Sequence, residues 1–200
     1  MTLLEIGTSE LREGSIPVLE TERLILRAPR LEDAKVLAAL ANDKRIAENT
    51  RRIPHPYKRS DADDFISAVN VPGPDGEVAF LITLRDGPVV GACGIAMQDG
   101  APDVGYWLGV KYWSKGYATE ATRAVIDYAF TELGHDSLSA GARVTNPASR
   151  RILEKCGFQW TGVGLCRIRA IHSSAPIDRF RLDRGLWLSL KSWGAVKRVA

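Results

Sequence analysis

The sequence predicts an α/β fold, one domain in which helices pack against a mixed sheet. The predicted elements follow the order strand, helices, antiparallel hairpin, strand, helix, strand, helix, two strands. The glycine turn around Gly116 follows a late strand, whereas a doubly wound dinucleotide-binding fold has its glycine turn after the first strand. The sheet is therefore not expected to be of the doubly wound kind.

The first half of the chain predicts one strand, two helices and a hairpin. The alternation in Arg23–Arg27 is typical of a strand, and the apolar stripe from Leu31 to Ala41 is typical of a helix. Ser60 with Asp63 resembles a capping box that opens a second helix. The hairpin strands are expected at about 77–85 and 89–97, joined across Asp86-Gly87-Pro88.

The second half predicts strands that alternate with two helices. Asn146 and Pro147 form a strong helix start, because asparagine is a preferred N-cap and proline is favoured at the first helical position. Gly157 is expected to end that helix. Strands are predicted at 102–110, at Leu138–Val144, from Phe158 onward and at Asp178–Asp183, with a long amphipathic helix that starts at Tyr117.

Residues 114–119, Ser-Lys-Gly-Tyr-Ala-Thr, lie between the 102–110 strand and the long helix. A strand followed by a small-residue turn and a helix start leaves several backbone N–H groups unpaired and pointing one way. Those donors and the helix dipole suit a phosphate or pyrophosphate. An ordinary strand-to-helix turn is the alternative explanation of the same residues.

Composition limits the function classes. The 200 residues suit one domain with a sizeable core, and a net charge of +3 is too small to argue for nucleic acid or a membrane surface. Three widely spaced cysteines and three histidines lack metal-ligand spacing, so no metal is predicted, and the cysteine pattern favours the cytoplasm. Residues 1–16 are predicted to be an extension, 17–190 the domain and 191–200 a tail.

Three separated motifs carry a family resemblance. Gly105–Leu108 with Tyr112–Ala121 resembles the acetyl-CoA motif of the GNAT acetyltransferases, most of all their ribosomal-protein N-acetyltransferase (RimJ/RimL-like) branch. Asn146–Ser149 through Leu153–Phe158 resembles the second motif of that branch, and Thr21–Arg27 is similar to its opening. The resemblance implies a mostly antiparallel sheet that splays into a V-shaped slot, with helices on both faces.

The resemblance also implies where acetyl-CoA would bind. Pantetheine would lie in the slot and pair with backbone groups around Leu108, Gly109 and Val110, and the side chain of Asn146 would contact the cofactor. Arg151, with its basic neighbours Arg150 and Lys155, would meet the 3′-phosphate. The pyrophosphate would sit on the turn formed by Ser114, Lys115, Gly116, Tyr117, Ala118 and Thr119.

Two residues are candidates for catalysis. Superfamily members often carry a tyrosine as general acid at the position that Leu153 occupies here, so Ser149, one turn earlier, is the available replacement. Asp103 stands where the branch usually has an acidic residue and is the candidate base. A helix-start serine that bonds locally and an exposed aspartate at a strand end are the structural alternatives.

The predicted activity is acetyl transfer from acetyl-CoA to a primary amine by direct attack in a ternary complex. A protein or peptide N-terminal α-amine is favoured, because about one-third of α-amine is neutral at pH 7.5 against roughly 0.1% of lysine amine. The alternatives are a small-molecule amine, a CoA-binding module with little catalysis and, more weakly, a nucleotide-binding protein. A monomer or homodimer without nucleic acid or membrane partners is expected.

Overall fold

The structure is a computed structural model that describes residues 16–70 and 77–194. The strands are β1 (Leu19–Glu20), β2 (Leu24–Arg27), β3 (Val78–Leu84), β4 (Val89–Gln98), β5 (Ala101–Leu108), β6 (Ser137–Arg143), β7 (Gln159–Ile168) and β8 (Ser173–Asp183). The α-helices are α1 (Ala34–Ala41), α2 (Lys44–Ala47), α3 (Arg59–Val69), α4 (Tyr117–Thr131), α5 (Pro147–Lys155) and α6 (Arg184–Gly194).

The eight strands form one sheet in the order β1-β2-β3-β4-β5-β6-β8-β7. Every neighbouring pair is antiparallel except β5 and β6, which run parallel and pair only at Asp103 with Ser139 and Val104 with Ala140. Beyond Val104 the two strands separate and leave a wedge between them, which we call the slot. The predicted mixed, mostly antiparallel and splayed sheet is thus confirmed.

Helices cover both faces of the sheet, as predicted. Along β3 the buried side chains alternate, so that Phe80 and Ile82 join the core beneath α4 while Leu81 joins the core beneath α1 and α3. The first core also takes in Leu153 of α5 and Trp187 of α6. Two separate apolar layers therefore hold the strands that border the slot.

The starts of α4 and α5 follow from local residue chemistry. Gly116 precedes α4 with φ +82°, a left-handed conformation that glycine adopts without strain. At α5 the Asn146 Oδ1 accepts a hydrogen bond from the Ser149 N–H at 3.2 Å, and Pro147 occupies the first helical turn. Gly157 follows the helix with φ +92°, so the predicted start and end of α5 are both confirmed.

Several predicted boundaries differ from those in the structure, and three of the differences have a clear local reason. The helix expected from Ser60 begins at Arg59, because Asp61 accepts a hydrogen bond from the Lys58 N–H at 2.8 Å. The strand expected to reach residue 110 ends at Leu108, since Val110 begins a 3-10 turn. The last strand starts at Ser173 rather than at 178, because it pairs with β7 along that strand's whole length.

The C-terminal helix α6 was missed by sequence reasoning. It follows β8 directly and runs across residue 190, where the domain was predicted to give way to a tail. The indole N–H of Trp187 donates to Asp127 Oδ1 at 2.7 Å, and its ring packs against Phe130 with 5.1 Å between centroids. Residues 1–15 of the predicted extension lie outside the described residues, as do 195–200.

Candidate active site

The edge of β5 that faces the slot carries free backbone groups. The Gly109 N–H donates to the Val90 oxygen of the neighbouring strand β4 at 2.9 Å, so odd-numbered residues of β5 bond to β4. By alternation, the backbone N–H groups of Tyr106 and Leu108 face the slot. The carbonyl of Leu108 accepts the Trp113 indole N–H at 2.8 Å.

Val110 does not belong to this edge, although the sequence predicted backbone pairing there. It lies in the 3-10 turn after the strand, and its carbonyl accepts the Trp113 N–H at 3.1 Å. The donors along the slot are therefore those of Tyr106 and Leu108. Sequence reasoning named Tyr106 only as part of a motif.

The 114–119 turn directs backbone N–H groups outward at the start of α4. Ser114 and Gly116 have φ values of +60° and +82°, and the first intrahelical bond runs from the Glu120 N–H to the Gly116 oxygen at 3.1 Å. The N–H groups of residues 117–119 precede that bond and have no partner within the helix. Together with the positive end of the helix dipole they are suited to an anion, and the binding of a phosphate there stays a prediction.

Arg23 clamps this turn from the first half of the chain. Its Nη1 donates to the Lys115 oxygen at 2.9 Å, its Nε donates to Glu120 Oε2 at 2.7 Å, and its guanidinium lies 4.9 Å from the centre of the Tyr117 ring. Burial raises the pKa of Glu120, but hydrogen bonds from Thr21 and Arg23 outweigh it and hold that pKa below its usual value. The turn is thereby fixed in place by a charged pair.

A pair of hydroxyl groups spans the inner end of the slot. The Tyr106 Oη of β5 lies 2.9 Å from the Ser149 Oγ of α5 and also donates to the Ser149 backbone oxygen at 3.1 Å. Burial raises the pKa of Tyr106 above its usual range. We call these two side chains the hydroxyl pair. Leu153, the position where a tyrosine was expected in relatives, is buried in the core.

Sequence reasoning did not find the hydroxyl pair. It treated the tyrosine function as lost because it looked only at α5, whereas Tyr106 brings a phenol from β5. The only available signal was a tyrosine in the strand motif, and a strand position alone does not reveal which helix the side chain contacts.

A cavity of about 580 Å³ connects the hydroxyl pair with Asp103. Its walls come from β4, β5, α3, the 49–54 segment and the ends of β6 and β7. Burial raises the pKa of the Asp103 carboxyl, and the positive charges of Arg51 and Arg52 partly oppose the rise. The two predicted catalytic residues, Asp103 and Ser149, thus line one cavity.

The basic residues of α5 differ in whether they form ion pairs with neighbouring carboxylates. Arg150 pairs with Glu154 at 2.9 Å and with Asp178 at 3.5 Å. Arg151 is exposed and has no carboxylate within 4 Å among the residues that the structure describes. Its contact with a 3′-phosphate stays a prediction, and so does that of Asn146, whose Oδ1 is used as a helix cap.

A family model described as acetyltransferase (GNAT) domain matches residues 23–159, which is more than half of the chain. The chain belongs to the GNAT acetyltransferase family. It is 35% identical over 150 residues to the uncharacterized N-acetyltransferase p20 of Bacillus licheniformis, and the match covers 72% of this chain and 84% of that protein. The protein is accordingly an acetyl-CoA-dependent N-acetyltransferase.

Solved structures agree with the GNAT fold. RimJ of Mycobacterium smegmatis, in complex with CoA-disulfide, superposes with a TM-score of 0.72 at 20% identity, covering 89% of this chain and 93% of that one. The microcin C7 self immunity acetyltransferase MccE, in complex with acetyl-CoA and AMP, superposes with a TM-score of 0.71 at 20% identity, covering 86% and 98%. The predicted family and fold are confirmed.

The described residues of this GNAT domain fit acetyl-CoA. The free edge of β5 offers N–H groups to an amide-bearing arm, and the 114–119 turn offers N–H groups to phosphates. Lys115 is exposed beside the turn, with its Nζ 5.9 Å from the centre of the Tyr112 ring. Within residues 16–70 and 77–194, no cluster of three or more histidine, cysteine or acidic side chains is placed to hold a metal. The helices in that part of the chain are too short or too polar to cross a bilayer.

Proposed function

We propose that the protein transfers the acetyl group of acetyl-CoA to an N-terminal α-amine of a protein or peptide, by direct attack within a ternary complex. The observation that carries the proposal is that Asp103 and the hydroxyl pair line one cavity beside the free edge of β5. A candidate base and a candidate proton donor thus line the same cavity, where an amine could meet the thioester.

Acetyl-CoA supplies an acetyl group that is already activated, so the chain's own residues have only to position the amine and move protons. Asp103 accepts the proton that the attacking amine loses, either directly or through a water molecule. Burial raises the pKa of Asp103, which makes it a stronger base, and the positive charges of Arg51 and Arg52 partly oppose that rise. The hydroxyl pair holds a proton near the leaving sulfur, which needs little help because a thiol has a pKa of about 8.5.

The modest strength of this base favours an α-amine over a lysine side chain. At pH 7.5 about one-third of an α-amine with a pKa near 7.8 is neutral, against roughly 0.1% of a lysine amine with a pKa near 10.4. A single carboxylate with two arginines nearby is poorly suited to deprotonate the lysine. Structural similarity to RimJ supports the same choice.

A small-molecule amine is the second candidate acceptor. The cavity volume of about 580 Å³ falls within the range that is usual for small-ligand sites. MccE, which is similar in fold, was solved in complex with acetyl-CoA and AMP. A compact acceptor therefore stands as the alternative to a peptide.

The test is a screen for acetylated products by mass spectrometry, with acetyl-CoA and matched peptides. One peptide has a free N-terminus and no lysine, a second has a blocked N-terminus and one internal lysine, and a panel of small amines completes the screen. We expect the free α-amine to react, with kcat/KM rising with pH and levelling off near pH ~8. Acetylation of the blocked peptide, or of small amines alone, would overturn the preference. Binding of acetyl-CoA without transfer to any amine would indicate a CoA-binding module.

A further inference from the structure

Four arginines line the cavity, and they differ in whether a carboxylate lies close enough to form an ion pair. They are Arg51, Arg52, Arg143 and Arg169. Of these four, Arg169 alone has a carboxylate within 4 Å among the described residues, that of Asp61 at 3.9 Å, and its side chain is largely exposed. The other three line the cavity with no acidic side chain at that distance in the described part of the chain.

Arg143 and Arg51 are half-buried, whereas Arg52 and Arg169 are exposed. Arg143 ends β6 at the mouth of the slot, and its Nη1 donates to the Glu48 backbone oxygen at 2.8 Å. Its Nε is buried and has no hydrogen-bond partner in the described part of the chain. A buried charged N–H without a partner is rare in folded proteins, because desolvation is then uncompensated. The Nη2 group also has no partner among the described residues and is not one of the buried atoms, so an acceptor group from outside the chain can reach the guanidinium there.

Arg51 lies against the same end of the sheet. Its Nε donates to the Cys166 Sγ at 3.0 Å, and its backbone oxygen accepts the Arg169 N–H at 3.1 Å. A thiol is a weak acceptor, and the two Nη groups of Arg51 have no hydrogen-bond partner among the described residues. Since Glu48, which Arg143 holds, is only three residues before Arg51, the two arginines belong to one wall of the cavity.

The acidic side chains of the cavity form no ion pair with Arg51 or Arg143 in the described part of the chain. Asp61 caps α3, and Glu77 accepts the Met97 N–H at 2.7 Å. Burial raises the pKa of Asp103 and the charge of Arg51 partly opposes that rise, although no hydrogen bond joins the two side chains. A ligand group bound to Arg51 would therefore lie close to the amine that Asp103 deprotonates. The planar fork of an arginine matches the two oxygens of a carboxylate.

We propose that the acceptor carries a carboxylate within a few bonds of its reacting amine, and that Arg51 and Arg143 bind that carboxylate. For the N-terminal acceptor of the proposed function, on which this inference rests, the carboxylate is the side chain of an acidic residue at the N-terminus. The two arginines then select the acceptor, while Asp103 and the hydroxyl pair handle its protons.

The experiment compares two peptides that are identical except for glutamate or glutamine at the N-terminus. We expect kcat/KM to be higher for the glutamate peptide by about tenfold to a hundredfold, the range of a charge-assisted hydrogen bond to a carboxylate. Arg51→Gln is expected to bring that ratio close to one, and Arg143→Gln to lower it. Arg169→Gln is the matched control, because it removes the same charge from the same cavity. Since Arg169 is already paired with Asp61, this variant should keep the wild-type ratio.

The ratio is measured on one preparation at a time, so it does not depend on how much of a variant is folded. A wild-type ratio near one, or a ratio that Arg51→Gln leaves unchanged, would overturn the inference. If free glutamate is acetylated, its α-amide is not, and Arg51→Gln abolishes the reaction, the inference is supported. The group that the arginines bind is then the α-carboxylate. Calorimetry of both peptides with CoA-saturated protein distinguishes failure of this inference from failure of the proposed function. If the glutamate peptide binds more tightly in an Arg51-dependent way but no acetyl transfer occurs, only the proposed function is refuted.

Discussion

Replacing Ser149 with alanine removes one member of the hydroxyl pair and leaves the Tyr106 hydroxyl a second partner, the Ser149 backbone oxygen at 3.1 Å. Because no buried donor is left unpaired, we expect the free energy of unfolding to fall by at most about 1 kcal/mol, the net value of one neutral hydrogen bond. In a domain of this size that lowers the melting temperature by about 2–4 °C. The variant is therefore expected to fold.

Catalysis should suffer more than stability. We expect kcat to fall by roughly tenfold to a hundredfold in Ser149→Ala, which is below the upper range of general acid catalysis because a thiol leaves tolerably well unaided. The Kd for acetyl-CoA should stay unchanged, since the lost hydroxyl acts in bond breaking rather than in binding. Thiol release measures kcat, and calorimetry measures the Kd.

Tyr106→Phe is the matched variant, because it removes the other hydroxyl and leaves Ser149 intact. If the two hydroxyls work as one unit, the double variant should lose no more activity than the more damaged single variant. A kcat within about twofold of wild type for Ser149→Ala, or two losses that multiply in the double variant, would refute this reasoning and leave Ser149 with a structural role only.

Two further predictions concern the 114–119 turn and acid stability. Gly116→Asp should weaken acetyl-CoA binding by about tenfold or more relative to Gly116→Asn, because both variants share the strain at φ +82° but only aspartate repels phosphate; equal Kd values in calorimetry would contradict this. Burial raises the pKa of Asp33, but hydrogen bonds from Arg27 and the Arg30 N–H outweigh it and hold the pKa below its usual value. The stabilisation is therefore present above the unfolded pKa of about 3.9 and is lost as pH falls through the folded pKa. Asp33→Asn should lower the free energy of unfolding by about 2–3 kcal/mol at pH 7 and flatten its acid limb, and urea titrations that show an unchanged limb would refute the assignment.

Local signals in the sequence predicted much of the fold. The caps of α5 come from Asn146, Pro147 and Gly157, three residues whose preferences do not depend on distant contacts. The same logic failed at α3, because Asp61 and Asp63 offer competing capping positions three residues after Lys58 and Ser60, and the sequence does not rank them. Helix α6 was missed because it follows β8 directly, and Asp183 at its start was interpreted only as the end of the last strand.

The candidate site divides in a similar way. The anion-binding turn is contiguous in sequence, so its backbone donors could be predicted from the pattern around Gly116. Its clamp joins Arg23 to Glu120 across 97 positions, and the hydroxyl pair joins Tyr106 to Ser149 across 43. Contacts of that range depend on which elements the sheet brings together, and a single sequence does not state this.

The short parallel ladder between β5 and β6 has a thermodynamic consequence. Two residues of β5 pair with two residues of β6, and the rest of that β5 edge has no neighbouring strand in the described part of the chain. An extended molecule that lies along this edge supplies that strand, so that its binding free energy adds to the folding free energy of the domain. At a concentration one hundred times its Kd, the gain is about 2.7 kcal/mol. A cofactor that binds only the folded domain therefore raises its free energy of unfolding as the cofactor concentration rises.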